Sequence, residues 1–125
     1  MAKLYIFGIG GTGSRVLRSL TMLMASGVSL DINEIVPIII DPDVANADLT
    51  RAASLMNKYH TLRSNLHFGD DNSNVFFKVE LNKIFPNYLL NIKNTDSISF
   101  QQFIDYASMS KENQALTKML FSEKA

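Results

Sequence analysis

Apolar positions along this chain fall into short runs and helical stripes, separated by glycine and aspartate clusters. Leu4-Tyr5-Ile6-Phe7 is a short apolar run and predicts a first strand. A helical pattern begins almost at once, over residues 12–26. There Val16, Leu17, Leu20, Leu23 and Met24 recur as one apolar face. Gly27 suits the position just past the end of that helix, and residues 28–33 read as a loop. Ile35-Val36-Pro37-Ile38-Ile39-Ile40 is then a continuous, largely β-branched run of the kind buried in a parallel sheet. Pro37 cannot donate to a ladder. The run therefore predicts either a bulge or a strand that begins properly at Ile38.

Asp41-Pro42-Asp43 is a turn and helix-start signal. It predicts a second helix over residues 45–65, with Ala52, Leu55, Met56, Tyr59, Leu62 and Leu66 on its apolar face. Residues 69–74 are a polar loop. Residues 75–81 alternate and predict a third strand, with Val75, Phe77, Val79 and Leu81 on one face. Phe85-Pro86-Asn87 reads as a turn. Ser99 is placed to cap a helix containing Phe100, Phe103, Ile104 and Ala107. A last helix starts near Lys111 and carries Ala115, Leu116, Met119 and Leu120. Phe100, Phe103 and Tyr106 are expected in the core.

The order β-α-β-α-β followed by helices predicts an α/β fold, a three-layer Rossmann-like half with a parallel sheet. Right-handed crossovers set the strand order 3-2-1. That order leaves the first strand as an open edge, and a bare three-stranded parallel sheet is unusual. Residues 1–125 are thus read as a single Rossmann-like nucleotide-binding domain. It is expected either to be the N-terminal part of a larger fold or to self-associate.

Composition narrows the class. Hydrophobic residues make up 46% and charged residues 19%, which fits a globular domain with a real core. Lys+Arg and Asp+Glu balance at 12 each, so no basic excess points to nucleic acid or a membrane surface. There are 0 cysteines, which removes disulfides, thiolate metal sites and cysteine nucleophiles. The apolar start breaks at Gly8, and Arg15 and Arg18 follow, so no signal-peptide core forms. No run reaches membrane-spanning length. A cytoplasmic address is the default reading.

The candidate chemistry sits at the first turn. Gly8-Ile9-Gly10-Gly11-Thr12-Gly13-Ser14 puts Gly8, Gly10 and Gly13 in G-x-G-x-x-G register between a strand and a helix. Gly8 permits the tight turn, Gly10 lets a phosphate approach the backbone, and Gly13 lets the helix pack close to the sheet. The helix N-terminus offers free N–H groups to an anion, and Ser14 is placed to add a hydroxyl. Asp41, at the end of the second strand, is the candidate for ribose hydroxyls. It lies further from Gly13 than the usual spacing of about 20 residues, and a turn aspartate before Pro42 is the competing reading. No lysine follows Gly13, so this is not a Walker-A loop.

The remaining polar residues carry less. His60 and His67 are seven apart, where helical metal pairs sit four apart. Asp70 and Asp71 lack the glutamate of a cation loop. Neither a metal site nor a catalytic residue can be named, and whether the chain is an enzyme stays open.

Two families share these motifs. The stretch Ile6-Phe7-Gly8-Ile9-Gly10-Gly11-Thr12-Gly13-Ser14 resembles the N-terminal nucleotide loop of FtsZ and bacterial tubulin-like proteins, in which a later strand also ends in Asp. The likeness covers about the first 60 residues and implies guanine-nucleotide binding and filament assembly. That family's second glycine-rich phosphate loop and its catalytic loop have no counterpart here. The same glycines, with Asp41-Pro42-Asp43-Val44 and Leu49-Thr50-Arg51, are also similar to ThiF-type adenylyltransferases. Asp48 and Ala52 stand where that family has Asn and Gln. Ordinary NAD-binding Rossmann domains share the glycines and Asp41 alone.

The sequence therefore predicts a nucleotide-binding module of tubulin-like type, with GTP, NAD and ATP all open as the ligand. An NAD-binding domain and a non-catalytic assembly domain without ligand are the alternatives.

Overall fold

The first strand, β1 (Lys3–Ile9), lies parallel to β2 (Glu34–Ile40) in the computed structural model, with Lys3 opposite Glu34 and Ile9 opposite Ile40. The structure describes residues 2–28, 30–66, 75–92 and 97–121. Helix α1 (Gly10–Ala25) links the two strands, and α2 (Ala47–Ser64) leads from β2 to the short β3 (Glu80–Leu81). The sheet is parallel in the order β1-β2-β3. The architecture is α/β, as the element order predicts. The chain forms two compact units, Met1–Asn91 and Ile92–Ala125.

In the first unit α1 and α2 pack against one another over one face of the sheet. The core joins Leu17 and Met24 of α1 and Ala52, Met56 and Tyr59 of α2 to Ile35, Ile39 and Leu81 of the sheet. Gly27 ends α1 in the left-handed region, with its N–H on the Met24 carbonyl and that of Val28 on the Leu23 carbonyl. These two bonds cap the carbonyls that the helix end leaves free. The predicted apolar face of α1 is only half used: Val16 and Leu23 remain 58% and 51% exposed. On α2, Leu62 and Leu66 are likewise exposed, and Leu49 and Ala53 take up the buried stripe instead.

Pro37 produces no bulge, and the register runs through it without a break. Backbone groups alternate sides along a strand. The carbonyls of Ile35 and Ile39 accept from Asn82 and Leu90, on the β3 side. Pro37 lies between them, so its missing N–H falls on that side too. The β1–β2 ladder loses nothing, while pairing with β3 stops after Asn82. That limits any extension beyond Asn82. The third strand is far shorter than the predicted 75–81 at its other end, where Phe77, with a φ of 55°, breaks the extended chain.

Side chains of α2 hold the segment before β3. The Tyr59 hydroxyl donates to the Val79 carbonyl at 2.6 Å, and the Phe77 ring packs on Tyr59 at 5.1 Å. His60 Nδ1 meets the Leu81 carbonyl at 3.2 Å, which gives this histidine a packing role. His67 and the polar loop with Asp70 and Asp71 lie outside the described residues. At the start of the sheet, Glu34 bonds both Lys3 (2.9 Å) and Asn82 (2.6 Å), a polar clasp across all three strands. The Asn82 amide, and then Lys3, hold the Glu34 carboxyl below its usual range.

In the second unit Ser99 forms a capping box with Gln102 on α3 (Phe100–Phe103). The helix stops there, because Asp105 takes a left-handed conformation. Ala107, expected in this helix, thus falls outside it, and Phe103 is 58% exposed rather than core. Ser110 caps α4 (Lys111–Leu120), and Phe121 packs on Phe100 with ring centroids 4.6 Å apart. Among the described residues no helix is long and apolar enough to cross a membrane.

Two buried tyrosines give opposite expectations. Burial pushes the phenols of Tyr59 and Tyr88 up to about 12, with Arg63 pulling Tyr59 slightly the other way. Tyr59 has a hydrogen bond, whereas the Tyr88 hydroxyl has no partner among the described residues. Tyr59→Phe should cost about 1–2 kcal/mol in urea unfolding, and Tyr88→Phe should be neutral or stabilising. Both folded values lie above the unfolded phenol's. The stability contributed by the neutral rings is therefore complete below pH 10 and lost as the pH rises towards 12. Urea midpoints between pH 9 and 12 would check this.

Candidate functional site

The turn from β1 to α1 is built from glycine because two backbones nearly touch there. A Cβ on Gly13 would lie 2.5 Å from the Gly8 carbonyl carbon, and one on Gly8 would lie 2.7 Å from Leu17 Cδ1. Gly8 still belongs to the strand, and Gly10 opens the helix with φ +64°. The space around Gly10 is open, with nothing within 4 Å of an added Cβ. The N-cap residue of α1, Ile9, makes no side-chain cap, and the first turn holds no acidic residue. The helix's first N–H groups therefore lack a side-chain cap of their own.

Asp41 comes to the same place. Since Ile9 lies opposite Ile40, Gly10 and Asp41 leave the sheet side by side. Asp41 is 9% exposed, and both its carboxylate oxygens are engaged. Oδ1 accepts from the Asp43 N–H at 2.9 Å, and Oδ2 from Asn46 Nδ2 at 3.0 Å. Asn46 in turn caps α2, its Oδ1 accepting from the Asp48 N–H at 2.9 Å. Asp41 thus acts as a turn residue. Each of its oxygens keeps a second lone pair for a further donor.

Asn46 and Asp48 also press on the loop, each with an atom 3.3 Å from where a Cβ of Gly11 would be. Asp48 pairs with Arg15 Nε at 3.3 Å and with an Arg51 terminal nitrogen at 3.9 Å. One carboxylate with two guanidiniums therefore stands beside the N-terminus of α1, where its charge suits the helix dipole. Sequence reasoning missed both residues. Asn46 two positions before an aspartate was a cap signal, hidden by starting the second helix at residue 45.

Ser14 and Thr12 are placed differently from one another. Thr12 is exposed on the first turn of α1. Ser14 belongs to the buried stripe with Leu17, Thr21 and Met24, and its hydroxyl has no partner among the described residues. Gly8, Gly10, Gly11, Gly13 and Asp41 are thus gathered around one strand end, while Ser14 lies inside it. An open groove of about 760 Å³ runs elsewhere, along α2 between Val44, Leu49, Asn57 and Asn87, and no loop glycine lines it. Among the described residues no group of three or more His, Cys, Asp or Glu is arranged to hold a metal ion.

Substitution of the glycines should separate their roles. Gly13→Ala forces two backbones apart and is expected to cost more than 3 kcal/mol or to prevent folding. Gly10→Ala meets only the left-handed strain, about 1 kcal/mol. Urea midpoints of the two variants would check the order. No family model, curated protein or solved structure matches this chain.

Proposed function

We propose that this chain is a nucleotide-binding module whose glycine turn cradles phosphate. The observation that carries the reading is the uncapped N-terminus of α1, held at the end of β1 by the Gly8–Gly13 approach with open space at Gly10. Phosphate oxygens approach Gly10 and Gly11, and ribose hydroxyls donate to the free lone pairs of Asp41. The tubulin-like assignment rests on the resemblance of the loop sequence. The NAD reading uses the same residues and differs in the base and in the second phosphate. No reaction is assigned: the carboxylate of Asp41, which leaves the sheet beside Gly10, is held by the Asp43 N–H and the Asn46 amide.

Asp48 makes the reading specific. Its carboxylate occupies the flank that a phosphate would favour, and it ties up Arg15. Arg15 is 64% exposed at its side chain, so the pair is a weak one that an incoming phosphate can replace. A second reading, an assembly domain without ligand, is favoured by the exposure of β1, where Tyr5, Phe7 and Ile9 are 53%, 57% and 69% exposed.

A thermal-shift panel of GTP, ATP, NAD and NADP tests the proposal. At least one should raise the melting temperature, and Gly10→Ala should abolish that shift. Asp48→Asn should tighten binding several-fold, by removing like charge and freeing Arg15. NADP should bind worse than NAD if Asp41 reads the ribose. No shift with any nucleotide, in the parent chain or in Asp48→Asn, would leave the assembly reading.

A further inference from the structure

The open side of β1 carries a second surface, independent of the nucleotide reading. Backbone groups of β1 alternate sides. Ala2 turns its carbonyl towards β2, bonding the Asn33 N–H. By the same alternation Leu4, Ile6 and Gly8 face β2, and Lys3, Tyr5, Phe7 and Ile9 direct their N–H and C=O groups outward. Those four residues also share the sheet face opposite Ile6, which packs on the core. Tyr5, Phe7 and Ile9 are each more than half exposed. The strand has no proline, and its single charge, Lys3, is held by Glu34.

The adjoining flank of α1 is apolar as well. α1 meets α2 on the side of Gly11 and Arg15. Val16, Leu20 and Leu23 fall on the flank away from α2, above the free edge of β1. Val16 and Leu23 are more than half exposed. An open edge and an apolar helix flank form one continuous surface.

We infer that this surface binds a second copy of the chain, by antiparallel pairing of β1 with β1 about a two-fold axis at Ile6. The strand is self-complementary in that register. Tyr5 faces Phe7 of the second copy, Lys3 faces Ile9, and Ile6 faces its equivalent. The outward residues then fall in hydrogen-bonded pairs, two aromatic pairs flank the axis, and no like charges meet. The axis is perpendicular to the joined six-stranded sheet and keeps both α1 helices on one side. Strand spacing of about 4.8 Å puts those helices roughly 10 Å apart, a normal packing distance. Pairing covers the exposed parts of Leu4, Val16 and Leu23 and the facing flanks of Tyr5, Phe7 and Ile9 in both copies, while the tops of those last three remain open on the far sheet face. The buried area is therefore below about 1,200 Å², the range of weak and transient interfaces, so a reversible dimer is expected. The chain's net charge of +0 adds no general repulsion.

Sedimentation and cysteine pairing test this on the full chain, which has 0 cysteines of its own. At on the order of 100 μM the native chain should sediment as a dimer and dissociate on dilution. Tyr5→Cys mixed with Phe7→Cys should form a disulfide-linked heterodimer several-fold faster than either variant links to itself, since facing residues lie within disulfide reach. Phe7→Lys and, independently, Val16→Glu should each lower the dimer fraction at least tenfold with unchanged circular dichroism. Gly10→Ala should leave the dimer intact while losing any nucleotide shift, which separates this inference from the proposed function. A monomer at the higher concentration would overturn the proposal and leave the edge to a different strand. Self-linking of either single variant ahead of the mixed pair would overturn the register.

Discussion

The contact between Gly8 and Gly13 sets the rest of the first unit. The backbone of α1 comes so near the end of β1 that a Cβ on Gly13 would overlap the Gly8 backbone, and one on Gly8 would press on Leu17. This approach brings Leu17 down onto Gly8 and aligns the buried stripe of Ser14, Leu17, Thr21 and Met24 with the sheet and α2. It also decides where the helix N-terminus stands. A bulkier joint would lift α1, open the core beneath Leu17, and carry the N–H groups away from Asp41. Packing and candidate chemistry thus depend on the same missing methyl groups.

The N-terminus of α1 is met by side chains from the neighbouring helix. Helix α1 lacks a side-chain cap, and the first turn of α2 supplies a carboxylate beside it. Asp48 is itself positioned by Asn46, and Asn46 by Asp41. The residue proposed to read ribose is therefore the anchor of the chain that holds a carboxylate against the loop. An incoming phosphate would displace Asp48 more easily than Asp41, because Asp48 is bound through exposed guanidiniums. Asp41 is held within the turn and by Asn46, whereas Asp48 is held by two exposed guanidiniums.

Legibility of the fold followed the length and regularity of each pattern. β1, α1, β2 and α2 were readable because period and glycine punctuation agreed, as at Gly27. The short β3 was not. Alternation from Val75 to Leu81 looked like a strand, but the segment pairs with β2 only at Glu80 and Leu81. Phe77 in a left-handed conformation gives no local signal. Ser99 correctly marked a helix start, whereas the stop at Asp105 carried none of the usual glycine or proline signs. At the site, the glycines and Asp41 were legible as a motif. Asn46 was legible only as a helix cap, and its part beside the loop, like that of Asp48, depends on how α2 leans against α1. Ser14 read as a loop hydroxyl because its motif position hid its place on the buried stripe.

The open edge explains why two readings of this chain coexist. Nucleotide crevices in parallel sheets form where neighbouring strands send their connections to opposite faces. Here β1 is the edge, so only one wall of such a crevice is present among the described residues. Antiparallel pairing with a second copy would extend the sheet but not bring two loops together. The register at Ile6 places Gly10 of each copy at opposite ends of the paired strands, separated by roughly 27 Å at about 3.4 Å per residue. Each loop would stand beside the Lys3 end of the other copy's strand, with its own Asp41 and Asp48 still in place. Such pairing would cover the exposed strand without involving the glycine turn, whose approach to α1 is set by Gly8 and Gly13 and not by the free edge.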